Sequence, residues 1–289
     1  MALGGNPIFN GKNFRGATQA PPVPQAPYGN QGGYGTQTQY GMPPQAMSQE
    51  QLQDLYNRPA AGPLDTGRMT YDDVIIKTFL CLGAVLVGAA VSFMVSPGLA
   101  SILMIVGALG GFALAMVNTF KKQPSPGLIL AYAALEGLFL GGLTRFLEAM
   151  FDGGGLGIQA VLGTLSVFAV TLVLFKSGKV RATPKAMRFF MIAMIGYAVF
   201  SLVNMVMMWT GVTDNPFGMR SGIVGILIGL FAIGLAAFSL IMDFTSIEAA
   251  VQSGAPQRFS WTAAFGLTVT LVWLYVEIIR LLAILRGEE

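Results

Sequence analysis

The chain has 289 residues, of which 54% are hydrophobic and only 11% are charged, with a formal net charge of +3. Soluble proteins carry about 25% charged residues, so this chain has too few polar side chains to cover a water-facing surface. It has no histidine and a single cysteine, Cys81, which excludes an intramolecular disulfide and a histidine- or cysteine-based metal centre. The basic residues form no dense stripe, which argues against nucleic acid as a partner. The composition predicts a protein whose main partner is the lipid bilayer.

Residues 1–69 differ from the rest of the chain, because they are rich in Gly, Pro, Gln, Tyr and Asn. Tyr28, Tyr34 and Tyr40 recur every six residues within QAPYGNQGGYGTQTQYGMPPQ. A segment with so few aliphatic residues cannot offset the entropy of ordering its backbone. We therefore predict a disordered tail, which acts either as a flexible spacer or as a docking segment for a partner.

The transmembrane domain is predicted over residues 70–289. Thr70 and Asp73 have the spacing of a helix N-terminal capping box, and apolar runs follow from there. Each run is close to the ~20 residues that cross the hydrocarbon core, and continuous backbone hydrogen bonding makes each a helix. The predicted spans are 74–95, 99–120, 127–149, 157–175, 187–210, 221–244 and 262–285. The fold class is therefore an all-α integral membrane protein with a seven-helix bundle.

The distribution of lysine and arginine predicts the orientation. Basic residues occupy one set of alternate connections: Arg68, Lys77, Lys121, Lys122, Lys176, Lys179, Arg181, Lys185, Arg188 and Arg258. The other connections hold SPG at 96–98, Asp152 among glycines, and Asp214 with Arg220. The N-terminus is therefore expected in the cytoplasm and, with seven spans, the C-terminus outside.

Small residues at helical spacing predict where helices pack closely in the membrane. Three G-x-x-x-G pairs are present: Gly107 with Gly111, Gly137 with Gly141, and Gly225 with Gly229. The last pair belongs to a stripe of small residues that ends at Asp243.

Several charged side chains fall inside the apolar runs, where each costs at least about 2.5–3.5 kcal/mol. Glu136 lies in span three, Asp243 at the inner end of span six, and Glu277 with Arg280 in span seven. One interpretation is structural, with Glu277 paired to Arg280 and Asp243 capping a helix end at the membrane interface. The other is an ion or proton pathway, because carboxylates are the only groups left for proton chemistry in a chain without histidine.

The sequence resembles the Bax inhibitor-1 family of membrane proteins. The resemblance is carried by LIMDFTSIE in span six, WTAAFGLTVTLVWLYVEIIRLLAILR in span seven and AALEGLFLGGLTRFLE in span three. It covers residues from about 70 to the end and points to a bacterial branch with long polar tails. It implies seven helices with the last at the centre and a place in the bacterial inner or cell membrane. We expect no cofactor.

Some members of that family resemble pH-sensitive calcium leak channels, in which two aspartates of helices six and seven share a proton and control opening. The resemblance places Asp243 and Glu277 at these positions, and Arg286 near a basic residue that follows the second acid. This chain departs from the pattern, because its second acid is Glu and the segment between the acids is longer. If that segment keeps the acids apart, Glu277 would pair with Arg280 and Asp243 would act alone.

We therefore expect a pH-sensitive pathway for cations, calcium above all, with Asp243 and Glu277 as the gate and Glu136 as a further pathway acid. The alternative is a non-conducting regulator that binds a membrane quality-control protease or another partner. A small-solute transporter ranks below both, because no repeated half-structure is visible. We expect no enzymatic activity, since three scattered acids without a nucleophile or a metal-ligand set make a poor active site.

Overall fold

A computed structural model describes residues 67–151, 154–178, 182–213, 215 and 217–287. The prediction of a disordered tail with regularly spaced tyrosines concerns residues outside this part of the chain. The described residues form seven long helices and a 3-10 turn: α1 Tyr71–Met94, α2 Pro97–Phe120, α3 Pro126–Met150, α4 Leu156–Lys176, α5 Pro184–Trp209, α6 Gly222–Gln252, the turn Gln257–Phe259, and α7 Ser260–Arg286.

All seven helices are long and apolar enough to cross a membrane, so the predicted fold class is confirmed. The last helix is the central one. In its most apolar stretch 61% of the residues are buried inside the protein, against 44% or less in every other helix. Large apolar side chains on α1, α2, α4 and α5 point outwards instead, as expected of helices that face lipid.

The helix starts follow from local sequence. Thr70 is the N-cap of α1, and its hydroxyl oxygen accepts a hydrogen bond from the amide of Asp73 at 3.1 Å. Proline occupies the first turn of α2, α3 and α5, where its missing N–H costs nothing because that donor has no partner within the helix.

The sixth span is longer than the sequence predicted. We expected it to end at residue 244, with Asp243 at its inner end, but α6 continues to Gln252. Asp243 therefore lies nine residues, or about 14 Å, before the end of the helix. No residue between 244 and 252 is a helix breaker, and the chain leaves helical geometry only at Gly254, which has a φ of +68°. The carboxylate is consequently well inside the helix rather than at its end.

Glycines let α1, α2 and α3 pack backbone to backbone. A Cβ on Gly107 of α2 would lie 2.5 Å from the carbonyl oxygen of Leu135, and one on Gly141 of α3 would lie 2.6 Å from that of Ala89. Gly137 faces the backbone of α1 in the same way, whereas Gly111 faces the carboxylate side chain of Glu136. Side chains larger than hydrogen would therefore separate these helices.

The third glycine pair lies between the last two helices. A Cβ on Gly229 would lie 3.2 Å from Leu281, and one on Gly225 would lie 3.3 Å from Ile284. The tightest neighbour of Gly225, however, is the carbonyl oxygen of Arg220 in the turn that enters α6. This pair thus allows a looser contact than the glycines of α3.

Gly88→Ala should destabilise the protein strongly, whereas Gly83→Ala on the same helix should not. The new Cβ at residue 88 would collide with the carbonyl oxygen of Ala134 and lie 2.9 Å from the amide nitrogen of Leu138. Overpacking of this kind costs roughly 1–3 kcal/mol. At Gly83 nothing lies within 4 Å, so alanine meets open space and gains helix propensity. Thermal unfolding in detergent measures the difference, and equal midpoints for the two variants would contradict this packing.

The segment before α1 is bound to the connection between α6 and α7. Met69 donates its amide to the carbonyl of Ala255 at 2.7 Å, and Gln257 donates its amide to that of Gly67 at 2.8 Å. The side-chain amide of Gln257 also donates to both carboxylate oxygens of Asp73 at 3.0 Å. We call these contacts the entry bridge. They place the start of α1 and the α6–α7 connection at one end of the bundle, as an even number of crossings requires.

The charge bias predicts that residue 182 lies in the cytoplasm and residue 289 outside. Reporter fusions at the two positions are expected to report opposite sides of the membrane, since three helices separate them. Two reports from the same side would mean that one of the last three helices does not cross.

Candidate functional site

Asp243 is a fully buried carboxylate between the last two helices. Its side chain has no exposed surface, and its Oδ2 accepts a hydrogen bond from the hydroxyl of Thr270 on α7 at 2.7 Å. Thr270 is ten residues from the start of α7, so the pair lies about 15 Å into that helix. The sequence folds this way because the small stripe of α6, with Ala236 and Ser239 buried beside Asp243, packs against α7.

Glu277 is the centre of a second buried group at the other end of α7. Arg280 donates through Nη1 to both of its carboxylate oxygens at 3.0 Å, and Arg220 places Nη1 3.6 Å from Oε2. The hydroxyl of Tyr197 donates to Oε1, and the indole of Trp273 donates to the same oxygen at 3.3 Å. Glu277, Arg280, Arg220 and Tyr197 are called the far-end cluster, because they lie far from the entry bridge.

Arg220 is the member of this cluster for which the sequence predicts a place in a connection between two spans. Only 4% of the residue is exposed. Its Nη2 donates to the hydroxyl of Ser201 at 2.8 Å, and its guanidinium lies over the ring of Tyr197 at 4.8 Å. The available signal was a lone arginine directly before an apolar, glycine-rich run, where a charge needs a buried partner.

Hydrogen bonds from Asn204 hold the loop before α6 in a position where Arg220 points into the bundle. Its side-chain amide donates to the carbonyl of Phe217 at 3.2 Å, while its oxygen accepts from the amide of Met219 at 2.7 Å. These bonds fold the loop against α5. Arg220 therefore enters the bundle beside Glu277 rather than pointing to water.

The structure brings Glu277 and Arg280 together, as the structural interpretation of these charges expected. Asp243 is bound at Thr270, which precedes Glu277 by seven residues, or about 10.5 Å along the helix. In the described contacts the two carboxylates have different partners. The geometry thus matches the part of the alternative in which Glu277 is ion-paired to Arg280.

The remaining candidate residues lie elsewhere. Glu136 is in α3, where its carboxyl meets the hydroxyl of Tyr132 and packs against Gly111 of α2. Arg286 is the last residue of α7, about 9 Å beyond Arg280 along the helix. The described contacts of Glu136 therefore belong to the α1–α3 side of the bundle rather than to the site of Asp243 or Glu277.

Two further charges of span three have structural roles. Arg145 donates to the carbonyls of Ser92 and Val95 at 3.1 and 2.6 Å, at the C-terminus of α1. Glu148 accepts from the amides of Gly155 and Gly157 at 3.1 and 3.0 Å, at the N-terminus of α4. Each charge opposes the dipole of the helix end that it caps. These caps account for both charges without a role in a transport pathway.

Fold and site together define an integral, multi-pass helical membrane protein whose last two helices hold buried carboxylates. In the part of the chain that the structure describes, no group of three or more acidic or cysteine side chains is arranged to hold a metal ion. A family model described as Bax inhibitor 1 like matches residues 6–287. The chain therefore belongs to the Bax inhibitor 1 like family, which confirms the resemblance and extends it into the tail. No curated protein matches the chain.

Proposed function

We propose that this membrane protein is a pH-sensitive leak pathway for cations, calcium above all, and that Asp243 is its proton-sensitive group. The observation that carries the proposal is a carboxylate with no exposed surface, held between α6 and α7 about 15 Å into α7. An acid at this depth is costly and calls for a functional reason. Because the chain has no histidine, carboxylates are the groups left to respond to protons near neutral pH.

The closed state is the one with a neutral Asp243. Protonation removes a charge from a dry contact, where the hydroxyl of Thr270 still provides a hydrogen-bond partner. Loss of the proton creates a negative charge in a site removed from solvent, where water or a cation entering between the helices would stabilise it. The helices would then separate around a wet path, and flux would rise as pH increases.

The far-end cluster has a different part in this proposal. Two guanidinium groups face one carboxylate, so the formal charge of Glu277, Arg220 and Arg280 is +1. A cation approaching this end would be repelled while the cluster is intact. The cluster therefore keeps the far end of α5, α6 and α7 closed, and cation passage requires it to rearrange.

The entry bridge favours one second candidate, a regulator without ion conduction. The tail joins the bundle at Gly67, and the carbonyl of Gly67 accepts a hydrogen bond from the amide of Gln257, in the turn before α7. A partner held by the tail would thus lie beside the connection of the two helices that carry the acids. A membrane quality-control protease is the partner class proposed for that role.

Calcium entry into liposomes that contain only the purified protein tests the first proposal. At neutral pH we expect entry well above that of protein-free vesicles, and no comparable entry of chloride. Absence of protein-dependent cation entry at every pH would reject the leak pathway and leave the regulator.

A chain that begins at residue 66 separates the two candidates. It retains the entry bridge, so we expect it to fold and to conduct like the full chain. Loss of flux with normal thermal stability would make the tail part of the gate. Equal flux with loss of a co-purifying protease would show that the tail is a handle for that partner.

A further inference from the structure

A cavity of about 580 Å³ lies at the far end, between α3, α5 and α7. Its inner wall is formed by Glu277, Arg220 and Arg280, together with Ser201 and Asn204. Its remaining lining is mainly apolar. Volumes of about 300–1,000 Å³ with apolar walls and a few convergent polar groups are typical of ligand sites.

The charges of the inner wall favour an anion. Glu277 balances one of the two arginines, which leaves a net charge of +1. Arg220 is the stronger attraction for an anion, because 96% of it is removed from solvent. Its Nε has no hydrogen-bond partner among the described residues. A buried guanidinium donor without an acceptor costs free energy until an acceptor arrives. An oxyanion in the cavity would supply it.

The opposite side of the cavity faces the surface that lipid covers. Four of its apolar lining residues are 40–58% exposed: Phe146, Met150, Met205 and Met208. Methionine adapts its shape to irregular apolar partners such as a hydrocarbon chain. A ligand can therefore have an apolar part along α3 and α5 and a negative head at the arginines.

The depth of the cavity matches that of a lipid headgroup. The 27 residues of α7 span about 40 Å and the hydrocarbon core is about 30 Å thick, so a helix centred on the core and normal to it extends about 5 Å beyond each boundary. Arg280 is six residues before the helix end, about 9 Å. In that placement the Cα of Arg280 lies about 4 Å inside the hydrocarbon boundary, a distance that an arginine side chain can span to reach a headgroup phosphate.

From these observations we propose that the far-end cavity binds an anionic phospholipid, with its phosphate at Arg220 and Arg280 and an acyl chain along the methionines of α5. Lipid binding would add an acceptor for Arg220 and balance the extra positive charge. This site is separate from Asp243 and does not depend on cation conduction.

Thermal unfolding of the full chain in a neutral detergent tests the proposal. Dioleoylphosphatidylglycerol should raise the midpoint in a saturable way, while dioleoylphosphatidylcholine should not. Arg280→Gln should weaken the apparent affinity about tenfold, the effect of losing a charge-assisted hydrogen bond. Arg280→Lys should restore most of it, and Arg286→Gln, on the same helix but outside the cavity, should bind like wild type.

Three results would overturn the proposal. One is equal stabilisation by the two phospholipids. Another is that Arg280→Gln leaves the lipid affinity unchanged while Arg286→Gln lowers it, which would place the lipid at the helix end. The third is stabilisation by oleate but not by phosphatidylglycerol, which would assign the cavity to a fatty-acid carboxylate. If Arg280→Gln does not fold, Arg220→Lys with the same lipids takes its place, and it should lose affinity because lysine has no counterpart of the unpartnered Nε donor.

Discussion

Asp243→Asn should remove the pH dependence of calcium flux and hold the pathway in its closed state. Asparagine has nearly the shape of the protonated carboxyl group and can keep a hydrogen bond to Thr270, but it cannot lose a proton to become charged. In wild type a switch controlled by one proton changes its open fraction by at most about tenfold per pH unit. The variant should therefore remain near the acid-pH flux of wild type throughout. Proteoliposomes with an enclosed calcium indicator provide the measurement.

Glu248→Gln is the matched control for that variant. Glu248 is a carboxylate of the same helix, five residues closer to its end and partly exposed. Its replacement should leave the rise of flux with pH in place. If Asp243→Asn retains the wild-type pH response, Asp243 is not the proton-sensitive group.

Glu277→Gln should cause the largest loss of stability among the charge substitutions. Arg220, which is 4% exposed, would lose its carboxylate partner, and Arg280 would lose its ion pair at 3.0 Å. Removing one member of a buried ion pair costs about 3–5 kcal/mol, because the other charge stays buried without compensation. The midpoint of thermal unfolding in detergent should fall accordingly.

Arg280→Gln provides the comparison within the same cluster. The side chain of Arg280 is 28% exposed, and Glu277 would still face Arg220, so the loss should be much smaller. The double variant Glu277→Gln, Arg220→Met should regain part of the stability, since it removes both buried charges. Equal losses for Glu277→Gln and Arg280→Gln would argue against the buried role of Arg220.

The number of spans could be predicted because the signal is local. A run of about 20 apolar residues must be helical in lipid, whatever its neighbours are. The predicted end of α6, at residue 244, was wrong. The prediction treated the first carboxylate, Asp243, as the edge of the membrane, but a helix continues where no residue breaks it and where a buried partner such as Thr270 stabilises the acid.

Helix contacts were only partly visible. The strict G-x-x-x-G pattern identified Gly137 and Gly141, which lie against α1, but it missed their close neighbour Gly88. Gly88 is followed four residues later by Ser92, so the broader pattern of small residues would have included it. The identity of the facing helix, however, depends on the assembled bundle and not on either sequence segment.

The far-end cluster shows what could not be predicted. The pair of Glu277 with Arg280 is local, because three residues on a helix bring side chains onto one face. The contact with Arg220 joins segments far apart in sequence, and it depends on a loop that Asn204 folds against α5. Local spacing contains no information about such a contact.

The central claim is that a cation path opens when Asp243 loses its proton. A pH jump on one preparation of calcium-indicator proteoliposomes tests it most directly, because the same molecules are followed in both states. We predict that calcium entry rises when the pH is raised from acid to neutral, falls again on re-acidification, and stays low in both directions for Asp243→Asn. Wild-type entry that is independent of pH, or that rises on acidification, would contradict the claim.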